Sequence, residues 1–197
     1  MAAVFQSLGR TVIAGIVLLV IIIVVAGAGT GQAISLDMNW SRFFMRWLHV
    51  LSGVMWIGLL WYFNFVQIPS MPKIPDEQKP AISKVIAPAA LFWFRWAALA
   101  TVVTGLLLAT MIGYFVPALT LQKPFTAIGI GMWLALVMAF NVWFIIWPNQ
   151  KKALGIVTVE AAEKAKAARL AMLTSRANTM LSIPMLFCMV AQQNGGL

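Results

Sequence analysis

The chain alternates long apolar runs with short polar or basic connections, and the period inside the runs is helical rather than strand-like. From Thr11 to about Ala33 there is no charged residue, and Arg10 precedes the run. That length suffices for one bilayer crossing, which needs ~20 apolar residues. A signal-peptide reading competes with a retained helix, and the retained helix is the expectation because the apolar core exceeds the usual leader length. The polar connection SLDMNWSR leads into RFFMRWLHVLSGVMWIGLLWYFNFVQIP, Arg42 to Pro69, the second predicted span. The loop that follows, Pro69 to Pro88, holds five prolines and three lysines and is expected to interrupt helical structure. A third span is predicted from about Ala89 to Phe115 and a fourth from about Phe125 to Trp147, closed by Pro148.

After the fourth span comes TVEAAEKAKAARLAMLTSRAN, Thr158 to Asn178, which has the charge pattern of an amphipathic helix on a membrane surface. A short apolar run, Thr179 to Ala191, follows and is expected to complete a fifth crossing as a continuation of that helix. The fold class is therefore all-α, a polytopic membrane bundle of about five transmembrane helices plus one cytoplasmic amphipathic helix. The expected divisions are an N-terminal helix over 1–40, a membrane domain over 41–193 and a short tail over 194–197.

Composition agrees with this pattern: 62% of residues are hydrophobic and 10% charged. Only helices or closed barrels satisfy their backbone in lipid, and barrel-type alternation is absent from the sequence. The net charge of +9 lies in the connections without interleaved aromatics, which argues for membrane lipids as the counter-charge and against nucleic acid. Five alternating spans place most of the lysines and arginines on one side, so the positive-inside rule puts the N-terminus in the cytoplasm and the C-terminus outside a bacterial inner membrane. The single Cys188 excludes an intrachain disulfide.

Polar residues inside the spans are costly, so each needs a partner or a function. One expected cluster lies near the cytoplasmic face: Asn64, Gln67, Arg95, Asn141, Arg176 and Asn178. It either knits the bundle or surrounds an anion. A second, outer cluster holds Arg42, Arg46, His49 and Tyr114, with Met45, Met111, Met132 and Met189 at comparable depth. His49 is the only histidine. Two readings stand for it: ligation of a haem iron, with a methionine opposite and arginine at the propionates, or a hydrogen-bonded packing role. Helical spacing sets Arg46, His49, Gly53 and Trp56 on one stripe, and Arg46, His49 and Trp56 are the candidate cofactor residues. Gly53, Gly131, Ala135 and Ala139 are small residues suited to close helix packing. No P-loop, GxGxxG or paired intramembrane carboxylate is present, so enzymatic activity is left open.

Three segments, RWLHVLSGVMWIGLLWYFNFVQ, FNVWFIIWPNQKK and SRANTMLSIPMLFCMVA, resemble the membrane domain of the cytochrome c-linked, membrane-bound urate oxidases, over roughly Ser41 to Gln193. The resemblance implies an inner-membrane module whose longer relatives oxidise urate and pass electrons to a C-terminal cytochrome c domain. It carries over Arg46, Trp47, His49, Trp56, Gly58, Ser175, Arg176 and Asn178. This chain has no CxxCH motif and carries Ala177 where the resemblance leads one to expect histidine. The implied role is a redox-associated or accessory subunit beside other membrane subunits and a cytochrome c. The alternative is a purely structural subunit without a cofactor.

Overall fold

The structure is a computed structural model and describes residues 2–30 and 35–196. Helices dominate, and no strand occurs among the described residues. After a short turn at Ala2–Phe5 come α1 (Leu8–Thr30), α2 (Met38–Lys73), α3 (Lys79–Ile112), the short α4 (Phe115–Leu119), α5 (Thr126–Ala153) and α6 (Ala161–Asn194). Among the described residues, α1, α2, α3 and α5 are long and apolar enough to cross a membrane. The expected end of the first span near Ala33 lies outside the described residues.

The chain divides into two compact units, residues 1–41 and 42–197. In the first, α1 has no buried residue. Thr11 and Thr30 turn their hydroxyls onto carbonyls of the preceding turns, which hides polar atoms along an apolar helix.

In the second unit the prolines do not break the helices as expected. Three π-helical turns, Tyr62–Gln67, Ile82–Ile86 and Asn141–Ile146, lie within α2, α3 and α5. Pro69, Pro88 and Pro148 each stand two residues beyond the end of one of them. A proline ring clashes with the carbonyl four residues back, here Phe65, Lys84 and Phe144, and each of these falls inside a π turn. Widening the helix moves that carbonyl aside and passes its neighbours to donors five residues on. Ile68, Ala87 and Trp147 accordingly donate to Phe63, Ile82 and Val142. The loop expected over Pro69 to Pro88 shrinks to the few residues between Lys73 and Lys79, and α5 continues past Pro148 to Ala153.

The amphipathic stretch and the last apolar run are, as expected, one continuous helix of 34 residues, with no glycine or proline before Pro184 to interrupt it. Its buried residues, Ala167, Ala171, Ser175, Asn178, Ser182, Met185, Cys188 and Ala191, recur every three or four positions and form one stripe against the bundle. The first half therefore packs on protein rather than lying alone on headgroups. Lys152 on α5 and Glu163 in the first turn of α6 pair at 2.6 Å across the connection. At the far end Gln192 accepts from the backbone N–H of Ile128 at 3.2 Å and donates to the carbonyl of Pro124 at 3.1 Å. So α6 runs antiparallel to α5 over its whole depth and ends where α5 begins.

The core between these helices is built from Trp56, Leu60, Phe63, Phe94, Ala98, Met138 and Val142. Gly131 lets α5 and α6 touch: a Cβ there would lie 3.2 Å from Cys188 Cβ and 3.5 Å from the carbonyl of Met185. Its contacts are internal, so Gly131 is not a surface for a neighbouring subunit. Ala135 and Ala139 pack against the same core, whereas a Cβ at Gly53 would meet Thr101 only at an ordinary contact distance of 3.9 Å.

Candidate functional site

All the buried residues of α2 lie from Trp56 onward. Its first half meets α3 through Arg42 and His49 but leaves a gap toward α5 and α6, and that gap is a cavity of about 590 Å³. Arg46, His49, Gly53 and Trp56 border it from α2, Thr101 and Gly105 from α3, Ile128, Met132 and Ala135 from α5, and Met185, Met189 and Asn194 from α6. The walls are mostly apolar, with a few polar groups gathered toward the end where Arg46, His49 and Tyr114 lie. That combination of size and lining is typical of small-molecule and cofactor sites, which span roughly 300–1,000 Å³.

His49 is held by α3. Its Nδ1 lies 2.9 Å from the carbonyl oxygen of Thr101 and 3.3 Å from Thr104 Oγ1. A carbonyl only accepts, so Nδ1 carries the hydrogen. Thr104 spends its own hydroxyl hydrogen on the carbonyl of Ala100 at 2.6 Å and presents a lone pair to the ring. With Nδ1 protonated, the neutral imidazole keeps its lone pair on Nε2, and no described residue donates to it. Donation of one ring N–H to a backbone carbonyl is the arrangement that orients a metal-binding histidine. Gly105 makes room for the ring: a Cβ there would meet His49 Cε1 at 2.8 Å and Nδ1 at 3.1 Å. Thr101, Thr104 and Gly105 were missed in the sequence. Their signal was the spacing TVVTG on a span, which matters only once His49 is known to face it.

Of the candidate cofactor residues, Arg46 is exposed at the cavity edge, His49 is half-buried and Trp56 is wholly buried. The indole N–H of Trp56 has no acceptor. Met132 and Met189 border the cavity, joined by Met185, whereas Met45 and Met111 do not. Arg42 instead donates from Nε to the carbonyl of Met111 at 2.8 Å, satisfying the C-terminal end of α3. Tyr114, just past α3, stacks on Phe125 at 5.5 Å. Burial pushes its phenol above the usual range, and the charge of Arg46 opposes this.

The inner polar cluster separates into parts. Asn141 donates to Asn178 Oδ1 at 2.8 Å, and Asn178 donates to the carbonyl of Met138 at 2.9 Å. Asn64 donates to Ser175 Oγ at 2.8 Å and to the carbonyl of Leu60 at 2.9 Å. Higher up, Trp61 donates to Ser182 Oγ at 3.0 Å. Ser175, Asn178 and Ser182 thus form polar rungs along the buried stripe of α6, tying it to α2 and α5. Arg176 does not belong: one residue from Ser175 it is turned off the stripe and is exposed. Arg95 and Gln67 make no rung, and their Nε and Oε1 atoms are buried without partners.

Residues 120–195 match the family described as Urate oxidase N-terminal. That range takes in α5, α6 and the rungs on both, and two of the three resembling segments; the His49 segment lies ahead of it. No curated protein and no solved structure matches the chain.

Proposed function

From the match of residues 120–195 to the urate oxidase N-terminal family, we propose that this chain is a member of that family, serves as a redox-associated subunit of a membrane electron-transfer complex and holds a haem in the cavity beside His49. One observation carries the reading: the Nδ1–H of His49 is committed to Thr101 at 2.9 Å, so Nε2 is the nitrogen with a lone pair to give. His49 would hold the iron, Met132, Met185 or Met189 are candidates for a second ligand, and Arg46 would pair with a propionate. A haem there would supply one-electron transfer. The protein's part is to fix the imidazole tautomer, surround the ring system with apolar side chains and set a cation at its edge. We assign no catalytic residue.

The membrane is read as a bacterial inner membrane. In support, Lys73, Lys79, Lys84, Lys151, Lys152 and Lys164 stand at or near the helix ends where α2 passes to α3 and α5 to α6, and the positive-inside rule assigns such an end to the cytoplasm. His49 is then near the outer face, within reach of a separate cytochrome c. A structural subunit is the second reading, and the same His49–Thr101 bond favours it as a tie between two helices.

A reduced-minus-oxidised absorption spectrum of the chain purified in mild detergent separates the two. The expected result is a Soret and α-band pair that His49→Ala removes while helical circular dichroism is retained. A featureless wild-type spectrum, or bands unchanged in His49→Ala, would overturn haem ligation and leave the structural reading.

A further inference from the structure

At the opposite end of the bundle, Arg95 lies within the apolar length of α3, and its Nε is buried without an acceptor. The described ion pairs, Lys79–Asp76 and Lys152–Glu163, leave it no carboxylate. Its guanidinium carbon instead sits 3.8 Å from the centroid of the Trp147 ring. Lys151 Nζ lies 5.7 Å from the same centroid. Two cations thus lie near one indole, and a ring face offsets only part of the cost of desolvating a guanidinium. Other polar atoms at this end are unpartnered too: Gln67 Oε1, Asn64 Oδ1 and Trp143 Nε1. The Leu60 carbonyl can only accept, so the amide nitrogen of Asn64 faces it and the oxygen is the atom left unpartnered. Asn64, Gln67 and Trp143 all fall in π turns, which recur at functional sites.

We propose that Arg95 and Lys151, on either side of the α3–α5 contact at Trp147, bind a phosphate group at the membrane interface. A guanidinium fork and an ammonium together match the charge and the several acceptor oxygens of phosphate. Trp93, Trp96, Trp143 and Trp147 mark the headgroup level on these two helices. The phosphate belongs to a phospholipid headgroup or is free inorganic phosphate. This site is independent of the cavity at His49.

The test is thermal unfolding and native mass spectrometry of the delipidated protein in detergent, with phosphatidylglycerol, with diacylglycerol or with inorganic phosphate added. The expected result is a retained phosphatidylglycerol adduct and a raised melting temperature in wild type, both lost in Arg95→Gln and weakened in Arg95→Lys, with no effect of diacylglycerol. An Arg95-dependent shift with inorganic phosphate instead would support the same site with the free ion as its ligand. Lys151→Gln, at a partly exposed position, gives the same readout if Arg95→Gln does not fold. Equal stabilisation of wild type and Lys151→Gln by every addition, or of none, would overturn the proposal.

Discussion

His49 and Thr101 are joined across two helices by a bond from a ring nitrogen to a backbone carbonyl, 2.9 Å long. No substitution at Thr101 removes that carbonyl, so the tie is part of the backbone of α3. What sequence can change is access to it, and access depends on Gly105.

Replacing Gly105 by alanine places a methyl 2.8 Å from His49 Cε1, inside contact distance. The ring must move, and overpacking of this kind costs about 1–3 kcal/mol. Gly105→Ala is therefore expected to lower the melting temperature in detergent modestly and to shift or abolish any haem bands, leaving the helical signal intact. An unchanged spectrum alongside a haem-bearing wild type would mean that His49 is not the ligand.

The rung at Asn178 gives a different test. Asn178 is wholly buried and answers both Asn141 and the Met138 carbonyl. Asn178→Leu strands the side-chain amide of Asn141 and leaves the Met138 carbonyl with only its backbone donor, and a buried polar group left unmatched costs about 1–3 kcal/mol. The double variant Asn141→Leu/Asn178→Leu removes the stranded amide and is expected to recover part of the loss. A melting temperature for the double variant equal to the sum of the two single losses would show that the residues do not act as a pair.

Much of this was legible from the chain. The apolar runs gave the helices, and the cost of polar groups in lipid singled out Asn64, Asn141, Asn178 and His49 before any partner was known. The pairings themselves were not legible: Ser175 enters only through the family resemblance and Ser182 not at all, and serines matter only when α6 brings them opposite Asn64 and Trp61. Proline misled in a specific way. Pro69, Pro88 and Pro148 read as helix ends, and the π turns that absorb them have no sequence signature of their own. Arg176 was placed by depth alone, and depth does not say which side of a helix a residue takes.

Tyr114 yields a pH dependence. Burial raises its pKa, with Arg46 opposing, so the neutral phenol is favoured in the folded protein relative to the unfolded chain. The stability this contributes is complete below the ordinary phenol value of about 10 and is lost as pH rises through the higher folded value. Wild type should lose melting temperature relative to Tyr114→Phe only in that alkaline window. A constant difference between the two proteins from neutral pH to well above it would contradict the assignment.

The last prediction concerns where the small residues of α5 are used. If Gly131 met a neighbouring subunit, Gly131→Leu would leave the isolated chain as stable as before and weaken only its assembly. A Cβ at this position instead lies 3.2 Å from Cys188 Cβ and 3.4 Å from Met189 Cε, both on α6. A leucine has to push α6 away from α5, and α6 is also the helix that carries Ser175, Asn178 and Ser182. Opening that contact loosens the rungs as well, so the cost is expected to exceed that of a simple overpacked site, about 1–3 kcal/mol. Gly131→Ala should cost less, since Met189 is flexible and has room to yield. Thermal unfolding of the purified single chain reads this directly: Leu well below Ala, and Ala slightly below Gly. Wild-type stability in Gly131→Leu would mean that α5 and α6 do not approach as closely as this packing requires.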